Sequence, residues 1–236
     1  MDRANDPMGA AIAEYHETGM ADTLRVFSPD FDEDEIPVDL LFRSFDQMPE
    51  IEQKALRMAN GKILDVGAGA GCHSLALQQM QKDVTAIDIS PLSVETMSAL
   101  GVRKVIEQDF FTIREKYDTI LMLMNGIGIV GSIASLPSFF SHIDAILSDN
   151  GQLLLDSSDI SYVFEDEDGI IYLPEGEKYY GELQYQMQYK DIKGDSFPWL
   201  YIDFDTLQDI AMKNGFKVEL VQRGEHYDYL ARIGRV

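Results

Sequence analysis

The chain has 236 residues, 45% hydrophobic, 25% charged and 10% aromatic, a length and balance that give one α/β-sized domain a core of its own and exclude a disordered, collagen-like or coiled-coil protein. Nineteen Lys and Arg against 41 Asp and Glu leave a formal charge of −22, which repels nucleic-acid backbones and anionic membrane surfaces and argues against both as partners. One cysteine, Cys72, makes neither an internal disulfide nor a cysteine-rich metal site, no signal pattern opens the chain, and the apolar run from Ile120 to Val130 is broken by Asn125, Gly126 and Gly128, so the expected setting is a reducing cytoplasm with no bound metal.

Residues 1–60 read as a helical extension. Ala10, Ala11, Ala13 and Tyr15 suggest one helix, an acidic loop spans 28–37, and Pro49 opens a second helix through Met58. Residues 61–156 alternate apolar strands and helices: strand 62–66, helix 72–80, strand 83–89, helix 91–100, strands 102–108 and 119–124, helix 136–148 and strand 152–156. This rhythm predicts βαβ units and a parallel sheet.

After Asp156 the rhythm changes. Segments 169–173, 181–190 and 196–203 read as antiparallel strands, because Gln184, Gln186 and Gln188 alternate with Tyr185, Met187 and Tyr189, and Gly194 and Asp195 form a turn. Asp205, with Gln208 at the capping-box position, starts a helix that Gly215 ends. The last strands, 216–222 and 227–233, are too close for a helical crossover and pair antiparallel. Runs 30–39 and 156–177 hold six and eight acids and no base, which reads as solvated acidic loop.

The segment Ile63-Leu-Asp-Val-Gly-Ala-Gly-Ala-Gly71 drives an apolar strand into three glycines and then a helix. Glycine lets the backbone turn sharply and lets a ligand lie against bare peptide, and the helix that follows offers unpaired N–H groups, so a nucleotide-like ligand is expected. Asp88, 21 residues after Gly67, ends the next strand, where its carboxylate can accept both ribose hydroxyls. A dinucleotide fingerprint needs G-x-G-x-x-G/A; the third glycine comes one position early and Cys72 stands in its place.

Gly67-x-Gly69-x-Gly71 preceded by Asp65 resembles the glycine loop of class I S-adenosylmethionine-dependent methyltransferases. Val84-Thr-Ala-Ile-Asp-Ile-Ser90 is similar to that family's second-strand motif, Gln108-Asp109-Phe110 to its adenine segment, and Tyr117 through Gly126 to its fourth strand. The resemblance implies an α/β fold with a doubly wound, mostly parallel seven-stranded sheet, Rossmann-like, with an antiparallel last strand. To this the chain adds an N-terminal helical lid at 1–60 and an antiparallel β insertion at 157–203 within a domain spanning 61–236. The implied cofactor is S-adenosyl-L-methionine, leaving as S-adenosyl-L-homocysteine. Asp65, Gly67, Ala68, Gly69 and Gly71 would serve its methionine end, Asp88 and Ile89 the ribose and adenosine, Asp109 and Phe110 the adenine, and Asn125 the methionine moiety. Arg43 is the candidate cation for the carboxylate, although it also reads as a surface ion pair; Asp109 has a second reading as a turn cap, and Asn125 with Gly126 as a turn pair.

His16 and His226 are the candidate acid–base groups, while His73 reads as local packing or a cap and His142 as a surface residue. The Asp/Asn-Pro-Pro-aromatic motif of amino-methylating DNA enzymes is absent, with Met124-Asn-Gly-Ile127 in its place, which points to a small-molecule acceptor. Tyr179, Tyr180, Tyr185, Tyr189, Tyr201 and Trp199 are candidates for lining its pocket. A monomer or homodimer is expected. Two other readings stay open: an NAD(P)-dependent oxidoreductase, and a protein that binds adenosylmethionine without transfer.

Overall fold

The computed structural model describes residues 1–173, 176 and 178–236; Pro174, Glu175 and Glu177, part of the acidic run 156–177, lie outside the described residues. From the N-terminus the chain forms α1 (Pro7–Thr18), β1 (Leu24–Phe27), β2 (Asp34–Ile36) and α2 (Glu50–Met58). Then come β3 (Lys62–Val66), α3 (Cys72–Gln79), β4 (Asp83–Asp88), α4 (Pro91–Ala99), β5 (Val105–Glu107), β6 (Tyr117–Met122), α5 (Leu136–Ile146) and β7 (Leu147–Ser158). The chain ends with β8 (Glu182–Tyr189), β9 (Ile192–Lys193), β10 (Phe197–Leu200), α6 (Phe204–Lys213), β11 (Phe216–Arg223) and β12 (Asp228–Arg235).

Seven strands form the main sheet in the order β11-β12-β7-β6-β3-β4-β5, with β12 antiparallel to both neighbours and the five from β7 to β5 parallel. Both faces are covered, so its strands are apolar on successive residues rather than alternate ones. Leu64, Ile120, Met122, Leu153 and Leu155 face α5 and α6, while Ile63, Leu121 and Leu154 face α2 and α3. The strand order reverses between β3 and β6, and in open α/β sheets ligands bind outside the carboxyl ends of strands at such a point.

The N-terminal extension is less helical than its sequence suggests. β1 pairs antiparallel with β2 and also with β8, Leu24 opposite Tyr189 and Phe27 opposite Gln186. With β10 and β9 they make a second sheet, so the extension and the insertion form one layer. Helix α1 lies beneath it: Ala11 packs with Leu24, Val38 and Tyr189, and Ile12 packs with Leu41 and Ala70 of the glycine loop. Asp6 caps α1 by accepting from Gly9 N at 2.8 Å and takes a 2.5 Å bond from Ser90 Oγ at the start of α4. A Cβ on Gly9 would stand 2.3 Å from both of those oxygens, so only glycine permits the contact.

Four further expectations shift. Segment 169–173 contributes only a single bridge, Ile171 to Glu165. The strand expected at 102–108 shortens to β5, while the one expected at 152–156 lengthens to β7 through an irregularity between Tyr117 and Thr119 of β6. Helix α6 is capped by Asp203, which accepts from Thr206 N at 2.9 Å, not by Asp205, because Asp203 is the last residue with extended backbone and Asp205 already lies in the first turn. Among the described residues no helix is long and apolar enough to cross a membrane.

Candidate active site

The cleft at the carboxyl ends of β3 and β6 is built by the loops that leave those strands. After β3, Gly67, Gly69 and Gly71 take left-handed φ of +66°, +57° and +83°, a conformation side chains resist. The loop is pinned by Ala68 N to Ile87 O at 3.0 Å and by Gly71 N to Ala68 O at 2.8 Å. Gly71 has a packing task as well, since its Cβ would meet Met97 Cγ at 2.9 Å, whereas a Cβ on Gly67 would meet nothing within 4 Å and leaves open space for a ligand.

Asp88 closes the loop from the neighbouring strand. Its Oδ2 accepts from Gly69 N at 2.9 Å and its Oδ1 from Ser90 N at 2.8 Å, which aims the carboxylate across the strand ends. Each oxygen keeps a second acceptor site. Burial raises its pKa; the two N–H bonds act the other way, and Asp6 adds to the rise. Ile89 beside it is 48% exposed and offers an apolar face. Asp109 is exposed and caps its own turn through Phe111 N at 2.8 Å, so the capping reading is correct and one carboxylate oxygen remains uncommitted. Phe110, expected beside the adenine, is 4% exposed and packs against Phe139 and His142. His142 is likewise half-buried, with its Nε2 2.9 Å from Phe110 O, and not a free surface residue.

Asp65, at the end of β3, is 2% exposed and takes a 2.7 Å bond from Ser74 Oγ. Burial raises its pKa, opposed by His73 and Ser74. Next to it lies a charge cluster that sequence reading did not find. The Arg43 guanidinium meets both oxygens of Glu52 at 2.5 Å, and His73 Nε2 meets Glu52 Oε2 at 2.6 Å. All three side chains are no more than 7% exposed. Burial drives Glu52 up and His73 down, yet their mutual bond, with Arg43 acting on Glu52 and Asp65 on His73, reverses both: Glu52 is held below the ordinary carboxylate range and His73 above the ordinary imidazole value. Arg43 is thus a buried pair rather than a surface one, and its Nε is buried with no hydrogen-bond partner among the described residues. A cavity of about 200 Å³ lined by Arg43, Phe42, Ala70 and Cys72 lies alongside. Burial pushes the Cys72 thiol up to about 12, which leaves it an inert packing residue.

After β6 the Asn125 side chain is committed within the protein. Its Nδ2 donates to Leu200 O at 3.2 Å and its Oδ1 accepts from Ser157 Oγ at 2.7 Å, one bond on each atom, so the amide is anchored and still has a second N–H to offer. The structure divides the candidate aromatic wall. Tyr179 and Tyr180 bond to Asp203 and Asp159 at 2.5 and 2.7 Å, and Tyr189 is buried under the second sheet. Trp199 packs edge-on against Phe197. Tyr185 and Tyr201 act on each other, with Tyr162 and Asp34 near both; burial pushes both hydroxyls up. The structure does not bring the candidate histidines together: His16 is exposed in the last turn of α1, and His226 is exposed in the turn between β11 and β12.

An adenosine with a methionine tail fits these residues on two observations: a buried, unpartnered Arg43 N–H suits a carboxylate, and the open space at Gly67 suits a chain lying on bare peptide. A family model described as a methyltransferase domain matches residues 13–221. The structure of an S-adenosylmethionine-dependent methyltransferase from Bacteroides fragilis in complex with S-adenosyl-L-homocysteine is 54% identical and aligns with a TM-score of 0.94 over 100% of this chain and 97% of that one. The CcbJ methyltransferase from Streptomyces caelestis aligns at 0.62 with 12% identity over 98% of both chains. CalS10, an amino pentose methyltransferase from Micromonospora echinaspora, aligns at 0.54 with 14% identity over 82% of this chain and 92% of its own, so both show the fold alone. A search among curated proteins returned no match. The glycine loop, the acid at the end of β4, the matching domain model and the 54% identical relative all agree: the chain belongs to the methyltransferase domain family and is a class I S-adenosylmethionine-dependent methyltransferase.

Proposed function

We propose that the acceptor is a small molecule and that the methyl group moves to it by in-line displacement in the cleft between the ends of β3 and β6. The observation that carries this reading is the way the second layer flanks that cleft. Ile12 of α1 packs on Ala70 of the glycine loop, and the insertion returns beside β6, where Leu200 O accepts from Asn125. A cleft flanked on both sides suits a small acceptor, and the −22 charge disfavours nucleic acid.

When bound, S-adenosylmethionine supplies the activated methyl group on its sulfonium. The chain's own residues bind and orient. Gly67, Ala68 and Gly69 give backbone for the methionine end, with Gly71 setting the loop against α4 and Asp65 beneath it; Arg43 Nε faces a carboxylate; Asp88 accepts the ribose hydroxyls; Ile89 and Asp109 take the adenine. Positioning of this kind replaces a bimolecular encounter by a held geometry. Residues 1–60 serve as the lid and 61–236 as the cofactor domain. Tyr162, Tyr185 and Tyr201 stand on the acceptor side. An acceptor that carries its proton into the reaction needs a base. Of His16 and His226 we assign His226, because β12 starts opposite Ser158 at the carboxyl end of β7. The test is turnover: purified protein, S-adenosylmethionine and a panel of small amines, phenols, carboxylates and thiols, with S-adenosylhomocysteine measured by mass spectrometry. Product formed with at least one panel member supports the reading. Product formed only when a protein or RNA is added overturns it.

A further inference from the structure

Directly after β6, two residues without glycine's freedom take left-handed backbone: Met124 at φ +60° and Asn125 at φ +56°. Such a pair persists only where its surroundings over-determine it. One carboxylate supplies the hold. Asp156, 6% exposed near the end of β7, accepts from Asn125 N through Oδ1 at 2.8 Å and from Met124 N through Oδ2 at 3.1 Å. The next residue extends the grip: Ser157 Oγ donates to Asn125 Oδ1 at 2.7 Å and accepts from Ile202 N at 3.1 Å. Tyr229 fixes the same return segment by donating from its hydroxyl to Ile202 O at 2.8 Å. The elbow at 124–125 and the segment that carries Tyr201 are therefore fastened to two consecutive residues of β7.

We propose that Asp156 is a positioning residue for methyl transfer, holding as a carboxylate the elbow that borders the acceptor side of the cleft and letting go of one of its two N–H groups when it takes a proton. The proposal rests on the reading of this cleft as the transfer site. An elbow held by neutral groups would keep its shape at any pH; one held by both oxygens of a single anion does not. The pocket around Asp156 makes the change accessible. Burial is the main force that lifts its pKa to about 7, the Glu52 charge of α2 adds to it, and the Asn125 and Met124 N–H groups and His73 of α3 pull it back. Tyr201 at the end of the insertion and Tyr229 of β12 also face it, and burial pushes both phenols up, so they stay neutral through this range. Arg43 reaches Glu52 from the lid side and is the remaining charge of the cluster. Transfer is accordingly active above neutrality and falls on the acid side as the elbow loosens.

Two measurements test this on the full chain. The first is hydrogen exchange of the Met124 and Asn125 amides from pH 5.5 to 8.5, corrected for intrinsic exchange, in the wild type and in Asp156→Asn, whose amide can accept only one of the two N–H groups. Protection in the wild type should fall about tenfold below a midpoint near pH 7, and Asp156→Asn should show low protection without a midpoint. The second is kcat at saturating S-adenosylmethionine with the best acceptor of the panel. Its acid limb should share the midpoint, and Asp156→Asn should lose about tenfold or more and lose the limb. Wild-type amides without a midpoint between pH 6 and 8 overturn the proposal, as does an acid limb that survives in Asp156→Asn. The wild-type titration decides the matter even if the variant does not fold. A panel with no acceptor contradicts the small-molecule reading instead and leaves the amide titration to decide the elbow.

Discussion

Glu52→Gln removes one buried negative charge and leaves two cations facing a neutral amide. Arg43 and His73 both bond to Glu52 within 2.6 Å, and none of the three side chains is more than 7% exposed, so solvent screens little of the loss. Breaking a buried pair from one side costs about 3–5 kcal/mol, because the partner's desolvation is no longer offset. At the usual unfolding entropy per residue for a chain of this size, that is a fall of about 6–10 °C in melting temperature. The sign with pH follows from the two shifts. His73 has a raised folded pKa, so its contribution is fully present below its ordinary value of 6.5 and is lost as pH rises through the folded value. Glu52 has a lowered one, so its contribution is present above the ordinary carboxylate range and fades only in acid. The gap between wild type and variant is therefore widest below the ordinary imidazole value and narrows as pH rises through the raised folded value of His73. Thermal and urea unfolding at pH 6 and at steps upward from it read this directly. A gap under about 1 kcal/mol at pH 6, or one that widens as pH rises, would refute the cluster as the buried tie between the N-terminal layer and α3.

Asp88→Ala should weaken S-adenosylhomocysteine binding in calorimetry by roughly 2–4 kcal/mol, about 30- to 700-fold, with a further stability loss of about 1–3 kcal/mol because Gly69 N loses its acceptor; unchanged affinity in a folded variant removes Asp88 from the ribose. Gly69→Val should abolish that binding, since a β-branched residue resists φ +57° and the loop would have to change its path; normal affinity in a folded variant means the loop is not the cradle. Amides around 10–20 and 40–46 should exchange more slowly when S-adenosylhomocysteine is added, and no change there would make the N-terminal layer a packing element rather than a lid.

The main sheet was legible because strands buried on both faces announce themselves as apolar runs, and the glycine spacing separated this site from a dinucleotide one. β1 and β2 were not. They are short, β2 is Asp-Glu-Ile, and their hold comes from Tyr189 and Gln186, some 160 residues away, which no local pattern carries. Glu52 reads as an ordinary acid on an amphipathic helix, and its one sequence signal is that a histidine follows the glycine loop at position 73. The burial of Phe110 was not legible because the motif fixes position and not side-chain direction: Asp109 caps the turn and that ring joins the core. Asp203 and Asp205 compete as caps, and only the extended backbone at Asp203 decides between them. Asp156 ends a predicted strand with nothing nearby in sequence to show that Met124 and Asn125 would need it.

The most direct test of the central claim is a crystal structure of the chain with S-adenosylhomocysteine. The account predicts the ligand between the glycine loop and α1, both ribose hydroxyls on Asp88, the carboxylate facing Arg43 Nε, and the sulfur beside the Met124–Asn125 elbow. A ligand lying elsewhere on the sheet edge, or one whose ribose faces a residue other than Asp88, contradicts it.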